Sequence, residues 1–276
     1  MHAFGTDNNM DNTVKHTNDF LHQLRSNGRY AFTLEDLSNE IPKSAKNIRK
    51  DIDRHRDKGD IINICRGFYT IVPDEYKNMG VIPVDFYIDE LMKFLTKKYY
   101  VALFSAAMFH GAAHQQPQEF FIVSQSPKPR KIIEDDFHIN FSEKKKFPVF
   151  GVEDKKTETG YFKISNKELT YMDLIYYEHT MGGFNRIITI LQELAEDINV
   201  YRMKDVLKND FPQAVIQRAA YIADNILQNN KLTNVFEHKL AKSKLKWVQL
   251  KSLADKNGAK DQKWKVIINT QIEGDI

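Results

Sequence analysis

One cysteine among 276 residues, Cys65, excludes an internal disulfide framework and fits a reducing compartment. No stretch approaches the roughly 18–20 uncharged apolar residues that a membrane span needs. The opening segment MHAFGTDNNMDNTVKHTND is polar and offers no apolar core for a signal peptide. These absences predict a cytoplasmic protein with no membrane partner. There is no fixed-period repeat or low-complexity tract, and 42% hydrophobic with 12% aromatic residues is not a disordered composition. No phosphate loop, GxSxG elbow or GxGxxG occurs, so neither an enzyme nor a cofactor is expected. At this length the chain has room for two domains, each with its own core.

Charge is sparse in sum and concentrated in place. The net charge is +3, yet Lys43–Lys58 holds seven Lys or Arg against three Asp, and Lys239–Lys265 holds nine Lys against two Asp. Those balances of +4 and +7 leave about −8 for the remainder by formal counting. Two basic islands on a mildly acidic chain point to localised contact with a polyanion.

The first island lies within residues 28–73, GRYAFTLEDLSNEIPKSAKNIRKDIDRHRDKGDIINICRGFYTIVP. A helix over Thr17–Ser26, capped by Thr17 or Asn18 and stopped at Asn27-Gly28, precedes it. Thr33 and Asp36 form a capping box for a second helix with Leu34, Leu37 and Ile41 on its buried side, ended by Pro42. Ser44 caps a third helix over Ala45–Lys58, with Ala45, Ile48, Ile52 and His55 as its inward stripe. Gly59 ends it, DIINI and FYTIV form a hairpin around Arg66-Gly67, and Ile62, Ile64, Tyr69 and Ile71 are the hairpin candidates. This order is the winged helix-turn-helix plan.

In that plan the N-terminal half of the third helix enters the major groove. Arg and Asn match guanine and adenine edges, and Lys suits phosphates. The candidate DNA-binding residues are therefore Lys43, Ser44, Lys46, Asn47, Arg49, Lys50 and Arg54, joined by Arg66 at the tip of the wing. Asp51 and Asp53 are awkward beside phosphates and are expected either in salt bridges along the helix or as a limit on non-specific affinity. Cys65 reads as inert packing in the wing.

The helix-turn-helix with its GxFY-type wing closure resembles the N-terminal domain of AbiEi-type antitoxins. VALFSAAMFHGAAHQQPQEFFIVS, residues 101–124, is similar to that family's Ser-Ala-x-x-x-His-Gly helix, turn and strand. ISNKELTYMDLIYYEHTMGGFNRIITIL, residues 164–191, resembles its later helix pair joined by Gly-Gly. The resemblance covers most of residues 15–230. It implies an autorepressor that binds inverted repeats in double-stranded promoter DNA and counters a nucleotidyltransferase toxin, in many members without a stable complex. The Gly-Ser and spaced-aspartate pattern expected of such a toxin is missing here, which disfavours the toxin itself.

The expected fold class is α+β, a winged helix-turn-helix domain over 1–78 followed by a larger mixed α/β domain over 79–276, with Pro73–Pro83 as linker. Helices are expected over Asp85–Lys97, Ser105–His110, Glu168–Glu178, Asn185–Asp197 and Phe211–Gln228. Strands are expected at Glu119–Ser124, Lys131–Glu134, Phe137–Phe141 and Tyr161–Ile164. No metal is expected. His110 and His114 have the spacing of a zinc pair, but Gly111 interrupts the helix and a structural histidine is the better reading. Glu134, Asp135 and Asp136 read as a solvated turn. Beyond Lys231 no family likeness guides the reading. Strands are expected at Trp247–Leu250 and Trp264–Ile268, anchored by their tryptophans, with the lysines either facing water or meeting phosphates beside the operator, an acidic surface or RNA. A regulator whose C-terminal domain senses a small ligand is the alternative.

Overall fold

The computed structural model describes residues 16–77, 82–113, 119–134 and 137–272. Among them lie ten α-helices and three sheets, a mixed α+β chain. It divides into two compact units: Met1–Phe94 with Thr157–Gly160, and Leu95–Lys156 with Tyr161–Ile276. Residues 82–94 thus group with the first unit, past the 78/79 boundary expected from sequence.

In the first unit α1 is Thr17–Ser26, and its Phe20, Leu21 and Leu24 are buried. The N-cap is His16, whose backbone N–H donates to Asp19 Oδ2 at 3.1 Å, so neither Thr17 nor Asn18 caps the helix. Strand β1 (Ala31–Thr33) runs into α2 (Leu34–Glu40), which starts at the expected box: Asp36 N–H donates to Thr33 Oγ1 at 3.0 Å, and Thr33 N–H to Asp36 Oδ2 at 2.8 Å. Helix α3 (Ala45–Asp57) buries Ile48, Ile52 and His55 but leaves Ala45 exposed, because the stripe begins only at the end of the first turn.

Strands β2 (Ile61–Cys65) and β3 (Phe68–Ile71) form the hairpin, and β3 is the centre of a sheet ordered β1-β3-β2. Its two-residue turn needs the left-handed backbone of Gly67, at φ +85°. A bulge between Asn63 and Cys65 shifts the alternation, so Ile61 and Ile64 are buried while Ile62 is only half-buried. Phe20, Phe32, Leu37, Ile41, Ile48, Ile52, Ile61 and Ile71 belong to one core. Phe20 and Phe32 meet edge to face at 5.5 Å. Helix α4 (Ile88–Phe94) buries Ile88, Leu91 and Met92, and Phe94 meets Phe68 at 5.4 Å. It is shorter than expected, since a 3-10 turn occupies Val84–Phe86 and Thr96 adopts a positive φ.

The second unit is built on a six-stranded sheet ordered β6-β7-β5-β4-β9-β8. Its strands are β4 (Tyr99–Val101), β5 (Glu119–Gln125), β6 (Ile132–Glu134), β7 (Phe137–Lys144), β8 (Val152–Thr157) and β9 (Gly160–Ser165). Strands β5 and β7 run parallel, in register from Glu119 opposite His138 to Gln125 opposite Lys144. The helices are α5 (Leu103–Phe109), α6 (Lys167–Tyr176), α7 (Phe184–Glu196), α8 (Val200–Val206), α9 (Gln213–Tyr221) and α10 (Asn230–Leu240). Helix α6 is buried without interruption from Glu168 to Ile175 and packs against α5, α7, α8 and α9. Helix α9 passes into a π-turn at Ile222–Ile226 and stops short of the Gln228 expected from sequence. A small sheet ordered β10-β12-β11 follows, from Val248–Gln249, Ala259–Asp261 and Val266–Ile268. Gly258 has no alternative there, because a Cβ would collide with the Ile268 carbonyl. No helix among the described residues is long and apolar enough to cross a membrane.

Candidate nucleic-acid interface

The exposed face of α3 follows from its pattern. Burying Ile48, Ile52 and His55 turns Lys46, Asn47, Arg49, Lys50, Asp53 and Arg54 toward solvent. Ser44 closes the N-terminus, its Oγ and carbonyl oxygen accepting from Asn47 N–H at 3.4 and 2.9 Å. There is no acid in the first turn, and Arg54, His55 and Arg56 stand in the last. The helix therefore presents an uncompensated positive N-terminus, where its own dipole adds to Lys46.

Asp51 sorts the eight candidate residues into two groups. Its Oδ2 accepts Lys43 Nζ at 2.6 Å and Thr17 Oγ1 at 2.9 Å, and its Oδ1 accepts Arg54 Nη2 at 2.9 Å. The hydrogen bond from Lys43 holds the Asp51 carboxyl below the usual carboxylate range, against a smaller opposing effect of burial. Lys43 and Arg54 are thus both paired with Asp51, Lys43 half-buried and Arg54 at the surface. Ser44 is occupied with capping. Lys46, Asn47, Arg49 and Lys50, together with Arg66 at the hairpin turn, are exposed and have no side-chain partner among the described residues. Asp53 pairs with Arg56 at 3.6 Å, so both awkward acids are matched locally, at i,i+3 spacing.

The Thr17–Asp51 bond ties the start of α1 to the middle of α3 and left no trace in the sequence, since thirty-four positions separate them. His55 Nδ1 lies 3.0 Å from Asp60 Oδ2, five positions on, with Lys77 Nζ 3.2 Å from Asp60 Oδ1. Burial alone would raise the Asp60 carboxyl, but the hydrogen bonds from His55 and Lys77 bring it below its ordinary value. His55 is a structural residue in this network. Cys65 is free and half-buried, and burial pushes its thiol up, away from the reactive thiolate.

In the second unit the chemistry-bearing residues turn inward. Lys144 Nζ lies 2.6 Å from Asp173 Oδ1, Tyr100 OH donates to Asp173 Oδ2 at 2.7 Å, and the ammonium sits 4.7 Å from the Phe211 ring centre. Burial, with the Asp173 charge behind it, pushes the Tyr100 hydroxyl well above its usual range. Nearby, Lys128, Glu143, Tyr176, Tyr177, His179 and Arg218 line part of a cleft of about 570 Å³. His110, half of the supposed zinc pair, places Nε2 2.7 Å from the Ser165 carbonyl, and burial lowers its pKa. His114, Asp135 and Asp136 lie outside the described residues, as does the side chain of Glu134. Among the described residues no group of three or more His, Cys, Asp or Glu is placed to hold a metal.

Residues 100–225 match the protein family described as the AbiEi antitoxin C-terminal domain. The match spans both later motifs, residues 101–124 and 164–191, and supports an AbiEi-type antitoxin. A crystal structure of the RV2827C protein from Mycobacterium tuberculosis is similar in fold, with a TM-score of 0.61 at 14% identity, covering 90% of this chain and 89% of that one. No match was found among curated proteins.

Proposed function

We propose that this chain, an AbiEi-type antitoxin by its residues 100–225, is also a DNA-binding autorepressor of a toxin–antitoxin operon. In this reading the first unit is a winged helix-turn-helix domain and α3 is its recognition helix. The toxin is a nucleotidyltransferase, countered without need of a stable complex, and the chain acts by binding, not by catalysis. One observation carries the DNA-binding part. Four polar or cationic side chains at the start of α3 and one at the hairpin tip have no side-chain partner among the described residues, while Asp51 and Asp53 are paired.

Arg49 and Asn47 present paired donor and acceptor groups suited to base edges, so Arg49→Ala and Asn47→Ala relax sequence preference at about 1–3 kcal/mol each. Lys50 has one compact charge, and Lys50→Ala weakens binding to all sequences and flattens the salt dependence by about one unit of slope. Fluorescence anisotropy on inverted-repeat promoter DNA across a salt series measures both. Wild-type affinity and slope in all three variants would refute the assignment of α3. A neighbouring reading frame without a nucleotidyltransferase would refute the operon reading.

A second reading, a ligand-sensing C-terminal domain, is favoured by the cleft beside Tyr176 and Arg218. Arg218 donates from Nε to the Gln249 carbonyl at 2.7 Å, and burial lowers its pKa. An anionic small molecule is the ligand it favours. Thermal shift of the full chain against nucleotides tests this reading.

A further inference from the structure

The lysine-rich segment after α10 is not the uniformly solvated face expected from its composition. Trp264 is an anchor: it is 3% exposed and its Nε1 donates to Asp224 at 2.9 Å. Trp247 is the reverse, 41% exposed at the edge of β10. Two ammonium groups converge on its ring, Lys260 from β11 at 5.5 Å and Lys265 from the turn before β12 at 5.0 Å.

Only some of the segment's charges are consumed by the fold. Lys239 is held by the Leu207 carbonyl at 2.6 Å, and Lys263 by Glu237 at 2.7 Å and Asp224 at 2.9 Å. Lys242, Lys244, Lys246 and Lys260 are exposed and have no acidic partner among the described residues. Lys265 adopts φ +55°, a backbone region that a lysine rarely occupies, and its ammonium donates to Gln262 Oε1 at 2.9 Å. That backbone belongs to the turn between β11 and β12; the two cations gathered at an exposed indole, without an acidic partner among the described residues, point to a binding role.

We propose that the Trp247–Lys260–Lys265 face is a binding site for single-stranded nucleic acid. An exposed indole stacks with any unpaired base, and flanking ammonium groups meet the adjoining phosphates. A duplex hides its base faces and offers only phosphates, and an acidic polypeptide offers no ring to stack. The site lies in the second unit, apart from the unit that holds α3, and outside residues 100–225, although Gln217 and Arg218 of α9 hold its backbone at Lys246 and Gln249.

Trp247 and Trp264 are the only tryptophans of the chain, so emission reports directly on the face. The full chain is titrated at low salt with oligouridine, with oligothymidylate, with a duplex of equal length, with heparin and with polyglutamate. Expected is saturable quenching by one or both single strands and little by the other three. Labelled oligonucleotide anisotropy then reads the variants. Trp247→Ala weakens binding about tenfold or more, and Trp247→Phe restores part of it. Lys260→Gln with Lys265→Gln lowers the salt slope by about 0.7 per lost phosphate contact. Arg49→Ala with Lys50→Ala leaves single-strand binding intact. Far-UV circular dichroism verifies folding of each. Quenching by duplex, heparin or polyglutamate equal to that by single strands, no quenching, or loss of single-strand binding in the α3 variant overturns the proposal.

Discussion

Helices α3 and α6 carry charge on comparable scaffolds and use it in opposite ways. Helix α3 buries one stripe and leaves Lys46, Arg49 and Lys50 to water, where each charge costs little to maintain and is open to a partner. Helix α6 is enclosed along eight consecutive positions, and its Glu168 and Asp173 survive there only because every oxygen that faces protein has a donor. The type of residue does not tell which fate awaits it. Whether a period of 3.6 is visible does: α3 shows one, and α6 shows none because it is buried on every face.

The largest test asks whether the unit that holds α3 stands without the unit that holds α6. Residues 1–94 expressed alone should unfold cooperatively by circular dichroism, whereas residues 1–78 should not. The shorter segment loses the buried Ile88, Leu91 and Met92, each contributing about 1.5–3 kcal/mol. It also loses the Arg29–Glu90 pair at 3.0 Å. Equal stability of the two segments would put the boundary back at 78.

Next comes the buried pair. Lys144→Ala leaves Asp173 charged and enclosed, so urea unfolding should show a loss of about 3–5 kcal/mol. The double change Lys144→Met with Asp173→Leu should cost less than Lys144→Ala alone. On α3 the outcome reverses: Arg49→Ala should change stability by less than about 0.5 kcal/mol while altering DNA binding. A stability loss there equal to that at Lys144 would erase the contrast between the helices.

Asp51 stands between these extremes. Its lowered pKa means that its contribution is complete above the ordinary carboxylate value near about 4 and is lost as pH falls through the folded value. Asp51→Asn should therefore cost about 1 kcal/mol at neutral pH and nothing in strong acid. The same change frees Lys43 and Arg54, so non-specific DNA affinity should rise. Unchanged affinity would mean that neither cation reaches DNA.

Legibility in the sequence followed the same divide. The limits of α1, the Thr33–Asp36 box and the buried Ile48 and Ile52 are all readable, because caps and stripes are local. Strand β1 is not, since three residues carry no alternation and its partner β3 lies far along the chain. Strand β8, VEDKKT, has a half-solvated face and no apolar pattern to find, and α8 buries only Met203 and Val206. Trp247 reads in the sequence as an apolar anchor like Trp264, because composition does not distinguish the exposed indole from the buried one. The partners Thr17 and Asp51, or Lys144 and Asp173, are meetings in space that spacing along the chain leaves unmarked.

Enclosure also sets a clock. The backbone amides of α6 from Leu169 to Ile175 have protein on every side, so local fraying gives water no entry to them. Their hydrogens should exchange with deuterium only when the whole second unit opens, at a rate fixed by its global unfolding equilibrium. The first turn of α3, exposed and held by Ser44 alone, should exchange orders of magnitude sooner. The slowest amides in the molecule then lie on its most highly buried charged helix, and the fastest helical ones on the face with unpaired cations.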